Sequence, residues 1–266
     1  MSTDPLRFLV AVVMLVLLVR AGAGALRHRA LAIAVWRGIR LRHVAGALGL
    51  LVAVVTVAAV LLEIPFLRYG IGSALGFSGN AVFAPLEEAA VRSGAGATGR
   101  AEWILVVGAT IFLGFLAALL PWLAFVEEEV FRAGLEDAPP RQEMLTALRF
   151  GLVHLVMLVP IAAALAIGVA GLVYGRLYRR RYRLAGPTDE LPLAVARSYR
   201  PTRRALSAAR RAAASATDGA EAPVATLALP LRRQAGAVYE STVWHATFNS
   251  LVVGLVWLAI VLDAIT

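Results

Sequence analysis

Six stretches of this chain, roughly 7–24, 43–62, 105–136, 142–159, 161–179 and 236–262, are apolar over lengths close to a bilayer crossing. A spanning helix needs about 20 predominantly apolar residues. Composition points the same way, since 60% of the 266 residues are hydrophobic and only 16% charged, against about 25% charged in a soluble domain. The expected fold is all-α, a polytopic helical membrane protein with about six transmembrane helices. Residues 1–102 form N-terminal transmembrane helices with an external loop, and 103–266 form a second, larger core. No room remains for a large soluble domain.

The 26 basic residues are all arginine, and their placement orients the chain. Six lie in 20–42, one is Arg141, and thirteen fall in 176–233. Helix parity puts these together on one side, which the positive-inside rule makes cytoplasmic. Arg7, Arg68, Arg92 and Arg100 lie on the other side, while Arg132 and Arg149 fall inside helices. Both termini then face outward, in the cell (inner) membrane. The net charge of +9 is explained by this placement, and nucleic acid is not an expected partner. Cysteine is absent, which excludes disulfides, a thiol nucleophile and Cys-ligated zinc.

Residues 8–19 with Ala21-Gly22-Ala23 also resemble a signal peptide with a small-residue cleavage site. Cleavage would leave the Arg-rich 20–42 segment outside, so an uncleaved first helix is expected. Segment 63–102 is an external loop with a short amphipathic helix around 81–92. Segment 183–235 is a basic cytoplasmic insertion with several prolines. Its Ala- and Arg-rich middle, 194–214, reads either as a basic helix lying on anionic lipid headgroups or as a solvated loop. No internal repeat and no pair of broken helices suggests a transporter.

Within the apolar segments lie three polar clusters: Glu127-Glu128-Glu129 with Arg132, then His154, then His245 with Asn249. Ionisable groups at membrane depth cost roughly 2.5–3.5 kcal/mol each on insertion. If the third helix runs to the breaker at Glu136-Asp137-Ala138-Pro139-Pro140, Glu127 is about 13 Å from its end. Pro121 is expected to kink that helix and free a carbonyl nearby. Glu128 and Arg132 are four apart, the spacing for an ion pair on one helix face. Glu127 has no such partner and is left to act as a general base, while Glu129 points elsewhere. His154 lies about 18 Å into its helix, and His245 and Asn249 share one face of theirs. All three clusters thus fall at similar depth from one membrane face. Singly, each also reads as packing or inter-helix glue, and the glutamates as a snorkelling end cluster. Glu127, His154 and His245 form an adequate zinc set, but there is no His-Glu-x-x-His, and metal-free Glu/His chemistry is favoured.

In this order the residues resemble the CPBP family of intramembrane proteases, which includes type II CAAX prenyl endopeptidases and bacteriocin-processing and immunity homologues. The pattern Glu-Glu-x-x-x-Arg, Phe-x-x-x-His, His-x-x-x-Asn is matched by Glu127-Glu128…Arg132, Phe150…His154 and His245…Asn249. Gly171-Leu172-Val173-Tyr174-Gly175 on the following helix agrees as well, and the likeness covers roughly 103–262. The resemblance implies hydrolysis of a peptide bond in a membrane-embedded or membrane-anchored protein or peptide. It implies that Glu127 and His154 activate water, that His245 and Asn249 form the oxyanion hole, and that Glu128 and Arg132 hold the first motif. The long insertion at 183–235 departs from the family, and CAAX cleavage is not carried over. A non-catalytic membrane binding protein, such as an immunity or secretion partner on the same fold, is the alternative.

Overall fold

The computed structural model describes residues 5–74, 99–186, 190–216 and 224–265. The amphipathic helix expected at 81–92 lies outside them. Among the described residues the fold is all α, with no strand. The chain begins with α1 (Pro5–Arg27), α2 (Arg29–Gly38) and α3 (Leu41–Leu62). A 3-10 turn at Pro65–Arg68 and a single turn, α4 (Ile71–Ala74), follow. Then come α5 (Gly99–Phe131), α6 (Pro140–Val153), α7 (Ile161–Leu184), α8 (Leu193–Ser198), α9 (Arg203–Ala216) and α10 (Val224–Ile265). Four segments are long and apolar enough to cross a membrane: Leu41–Leu62, Val106–Phe131, Ile161–Leu184 and Ala228–Asp263.

Three boundaries differ from expectation. The segment 142–159 is not one spanning helix. α6 has 14 residues, about 21 Å at 1.5 Å per residue, short of the roughly 30 Å hydrocarbon core. It gives way to a 3-10 turn at His154–Met157, and Leu158 takes a left-handed φ of 63°. Pro160 disfavours helical backbone at Val159, so the helix cannot run unbroken into α7. Tyr69 closes over the break, its carbonyl accepting from the Ile161 N–H at 2.9 Å.

The segment 105–136 ends as a helix at Phe131, not at 136. Gly134 sits at φ +89°, the left-handed conformation that stops a helix at little cost when the residue is glycine. Finally, α10 has 42 residues, about 63 Å. It begins well before the expected 236 and takes up the end of the 183–235 insertion.

α10 is the spine of the bundle, packing against α5, α7 and α3. Two cores flank it. One joins Phe125, Tyr178, Val195, Ala205 and Val238, so the insertion helices α8 and α9 belong to the protein interior. The other joins Leu50, Phe150, Ala166, Tyr174 and Phe248. α6 and α7 approach closely at Gly151, where a Cβ would collide with the Ala164 carbonyl and the Gly168 backbone. Small residues that let backbones touch in this way are the usual currency of helix association in lipid.

Candidate active site

The end of α5, α6, α7 and the middle of α10 meet around the Phe150 ring. Phe131 and His154 pack edgewise on it at 5.3 and 5.1 Å between centroids, and His245 at 5.5 Å. The Arg132 guanidinium lies over the same ring, 4.5 Å from its centroid. That is a cation–π contact between two buried groups, and such contacts are strongest when desolvated. The aromatic ring is therefore the wall between the two histidines.

Glu128 is fully buried and saturated with donors. Its Oε1 accepts from His245 Nδ1 at 3.0 Å. Its Oε2 accepts from the Ser241 hydroxyl and lies 3.4 Å from Arg132 Nε. The i, i+4 pair expected from the sequence is thus present, and Glu128 holds two further partners, both from α10. A carboxylate only accepts, so His245 carries a proton on Nδ1 and turns Nε2 the other way. Tyr174 stacks on the imidazole at 4.8 Å and fixes its plane.

Nε2 of His245 looks toward Glu127, 3.7 Å from its Oε2. The Glu127 side chain is one-third accessible, yet this oxygen is buried and makes no hydrogen bond. His245 therefore stands between two carboxylates, one saturated and one not. Asn249, one turn further along α10, is half-buried, and its amide has no hydrogen-bond partner among the described residues.

His154 is placed differently from expectation. It is the residue at which α6 ends, and its Nδ1 is 2.8 Å from the Phe150 carbonyl. A carbonyl cannot donate, so Nδ1 carries the proton and Nε2 keeps its lone pair. His154 and Glu127 make no direct bond. Glu129 points away from the site and accepts the backbone N–H of Arg200. Glu127, His154 and His245 are not assembled as a ligand set: no group of three or more His, Asp or Glu side chains among the described residues is placed to hold a metal ion.

Ser241 and Tyr174 are the contributors not singled out from the sequence. Ser241 is one turn before His245 on the same face of α10, so its i, i−4 spacing was the available signal. Its hydroxyl is committed to Glu128, which leaves it no role as a nucleophile. The buried Tyr174 hydroxyl makes no hydrogen bond.

The turn after α5 is held from outside the membrane spans by the insertion. Arg204 donates to the carbonyls of Ala133 and Val130, at 2.8 and 3.1 Å. Burial pushes the Arg204 guanidinium down from its ordinary range, while nearby Tyr178 and Glu136 raise it. Burial also pushes the Tyr199 hydroxyl up, so it stays a donor, to Gln234 Oε1 at 3.1 Å.

Chemically, the cluster offers a carboxylate and a basic imidazole nitrogen for water, and an amide for a developing negative charge. No family model, no curated protein and no solved structure matches the chain.

Proposed function

We propose that the protein is an intramembrane endopeptidase, resembling the CPBP proteases, that uses Glu127 and histidine to activate water. The observation that carries this reading is the unsatisfied Glu127 oxygen 3.7 Å from His245 Nε2, opposite a Glu128 fully occupied in orienting that ring. A buried acceptor without a donor costs about 1–3 kcal/mol. Such a group persists where a reactant, here water or the scissile amide, supplies the missing hydrogen.

Glu127 takes the proton of the attacking water, and His154, whose Nε2 keeps its lone pair, is assigned as the second base. As the carbonyl becomes tetrahedral, the Asn249 amide donates to its oxygen, joined by His245 Nε2–H when that imidazole has taken a second proton from solvent. The C–N bond then breaks as Glu127 passes the water's proton to the leaving amine nitrogen, and the water's oxygen stays on the new carboxylic acid. Glu128, Ser241, Arg132 and Tyr174 act through His245 and are positioning residues.

The chain is then a multi-pass protein of the cell membrane with its Arg-rich segments cytoplasmic. To the four candidate spans this reading adds α1 and, as the fourth crossing, α6 with its following 3-10 turn.

The test compares membrane proteomes of cells making the wild-type chain, Glu127→Gln or Asn249→Ala at equal levels. The expected result is accumulation of the same uncut substrates with both variants. Identical peptide patterns in all three would overturn the peptidase reading.

One observation favours a second reading. His154 is bonded to its own helix and not to Glu127, as in a scaffold that binds a membrane partner without cutting it. In that case Glu127→Gln leaves the proteome unchanged while partners co-purified with the protein are lost.

A further inference from the structure

At the far end of α7 from His154, four arginines surround a hollow of about 510 Å³, a size typical of ligand sites, which run to about 300–1,000 Å³. Its wall is Arg176, Arg179, Arg180, Arg183, Leu184 and one acid, Glu143 of α6. Glu143 is already spent: its Oε2 accepts from Arg179 at 2.6 Å. Arg176, Arg180 and Arg183 are exposed and have no ion-pair or hydrogen-bond partner among the described residues. Their i, i+4, i+7 spacing stacks all three on one face of α7. Three like charges converging on one hollow repel each other, and a bound anion is the simple remedy. Arginine is the side chain best matched to phosphate oxygens, through its planar fork of donors.

The hollow also lies where a lipid headgroup would lie. α7 is a candidate membrane span that ends at Leu184, and the arginines occupy its last turns. From Glu143 an apolar lane runs down α6 in the direction of His154. Met144, Leu148 and Leu152, at i, i+4, i+8, are 62%, 38% and 37% exposed. A free phosphate has no use for such a lane, whereas an acyl chain does.

We infer that the α6–α7 hollow is a binding site for the phosphate headgroup of an anionic phospholipid, whose acyl chain lies along Met144, Leu148 and Leu152. Basic pockets between membrane helices on the cytoplasmic side take such headgroups. In the basic segment 194–214, α9 buries Ala205, Ala208, Ala209 and Ala213 against the protein and leaves Arg203, Arg210 and Arg211 exposed, so these three serve as the comparison set. The hollow shares no residue with the Glu127–His245 cluster, so lipid binding stands independently of peptidase chemistry. It rests only on the chain lying in a bilayer.

The test titrates the full chain, purified in neutral detergent, with short-chain phosphatidylglycerol, and with phosphatidylcholine as the zwitterionic control. Each arginine near a lipid surface contributes about fivefold in affinity. Arg176→Gln/Arg180→Gln/Arg183→Gln should therefore weaken phosphatidylglycerol binding by roughly a hundredfold. The charge-matched Arg203→Gln/Arg210→Gln/Arg211→Gln variant on α9 should leave it unchanged. Met144→Ser/Leu148→Ser should weaken phosphatidylglycerol but not inorganic phosphate. Wild-type affinity in the α7 triple variant overturns the site. Displacement of phosphatidylglycerol by inorganic phosphate, with no effect of the α6 pair, overturns the lipid and leaves a free anion. Equal binding of phosphatidylcholine removes the charge argument.

Discussion

Replacing Glu128 by glutamine isolates the charge at the centre of the cluster. Glutamine keeps the side-chain volume, and its amide oxygen can still accept from His245 Nδ1. What is lost is the partner of Arg132, a guanidinium 1% exposed whose Nε and Nη2 already lack hydrogen bonds. Removing one member of a buried ion pair costs about 3–5 kcal/mol, because the remaining charge is uncompensated. In a domain of this size each kcal/mol moves the melting temperature by about 2–4 °C, so Glu128→Gln should lower it by roughly 10 °C. Arg132→Met alone should do similar damage, leaving a buried carboxylate with His245 and Ser241 only. The double variant carries neither charge and should recover most of the loss, with a coupling of about 2 kcal/mol or more. Thermal unfolding of the four proteins in one detergent, followed by tryptophan fluorescence, reads the cycle directly. Additive single effects, or a Glu128→Gln melting temperature equal to wild type, would refute the buried pair as the anchor of the site.

Tyr174→Phe should be neutral or stabilising by up to about 1 kcal/mol, because a buried hydroxyl without a partner is a liability; a loss above that in the same unfolding assay would mean the hydroxyl has a partner. Gly134→Ala should cost about 1–3 kcal/mol, since alanine at φ +89° is strained and its Cβ would press on Arg204 and Ala205; unchanged unfolding would refute the cap. Arg204→Ala should cost about 2–3 kcal/mol through two charge-assisted bonds to carbonyls, checked by faster proteolysis of the 190–216 segment in detergent.

Local spacing made part of this site legible. Glu128 with Arg132, and His245 with Asn249, are i, i+4 pairs that any helix brings to one face. The bond from His245 to Glu128 joins helices 117 positions apart, and no local pattern encodes it. His154 ends α6 for a reason that local hydropathy does not show. Apolar residues outnumber polar ones in 142–159, but Pro160 disfavours helical backbone at Val159, and α6 gives way after Val153 to a 3-10 turn that leaves His154 bonded to its own turn. Gly134 was similarly visible as a helix stop and was outweighed by the apolar residues around it. The Ala205, Ala208, Ala209 and Ala213 spacing marks a packing stripe as readily as a solvated face, and tertiary contact decides between them.

The early stop of α5 also accounts for the insertion. A helix end leaves its last carbonyls without intrahelical donors, and these must be met by other groups or by water. At Phe131 the protein meets this with the Arg132 N–H, which bonds back to the Glu128 carbonyl at 2.8 Å, and with Arg204, which reaches the Val130 and Ala133 carbonyls. Gln234 holds α9 in turn, donating from its Nε2 to the Ala205 carbonyl at 2.9 Å, and Tyr199 locks Gln234. On the other side Tyr178 donates to Glu136 at 2.6 Å. The basic insertion thus supplies donors to the end of α5. Ending early is what turns Arg132 inward over Phe150 and sets Glu127 and Glu128 in the last helical turn, where they can meet α10. The arginine-rich insertion and the buried acids are thus joined through one short turn, Arg132 to Gly134, which Arg204 holds from one side and Glu128 from the other.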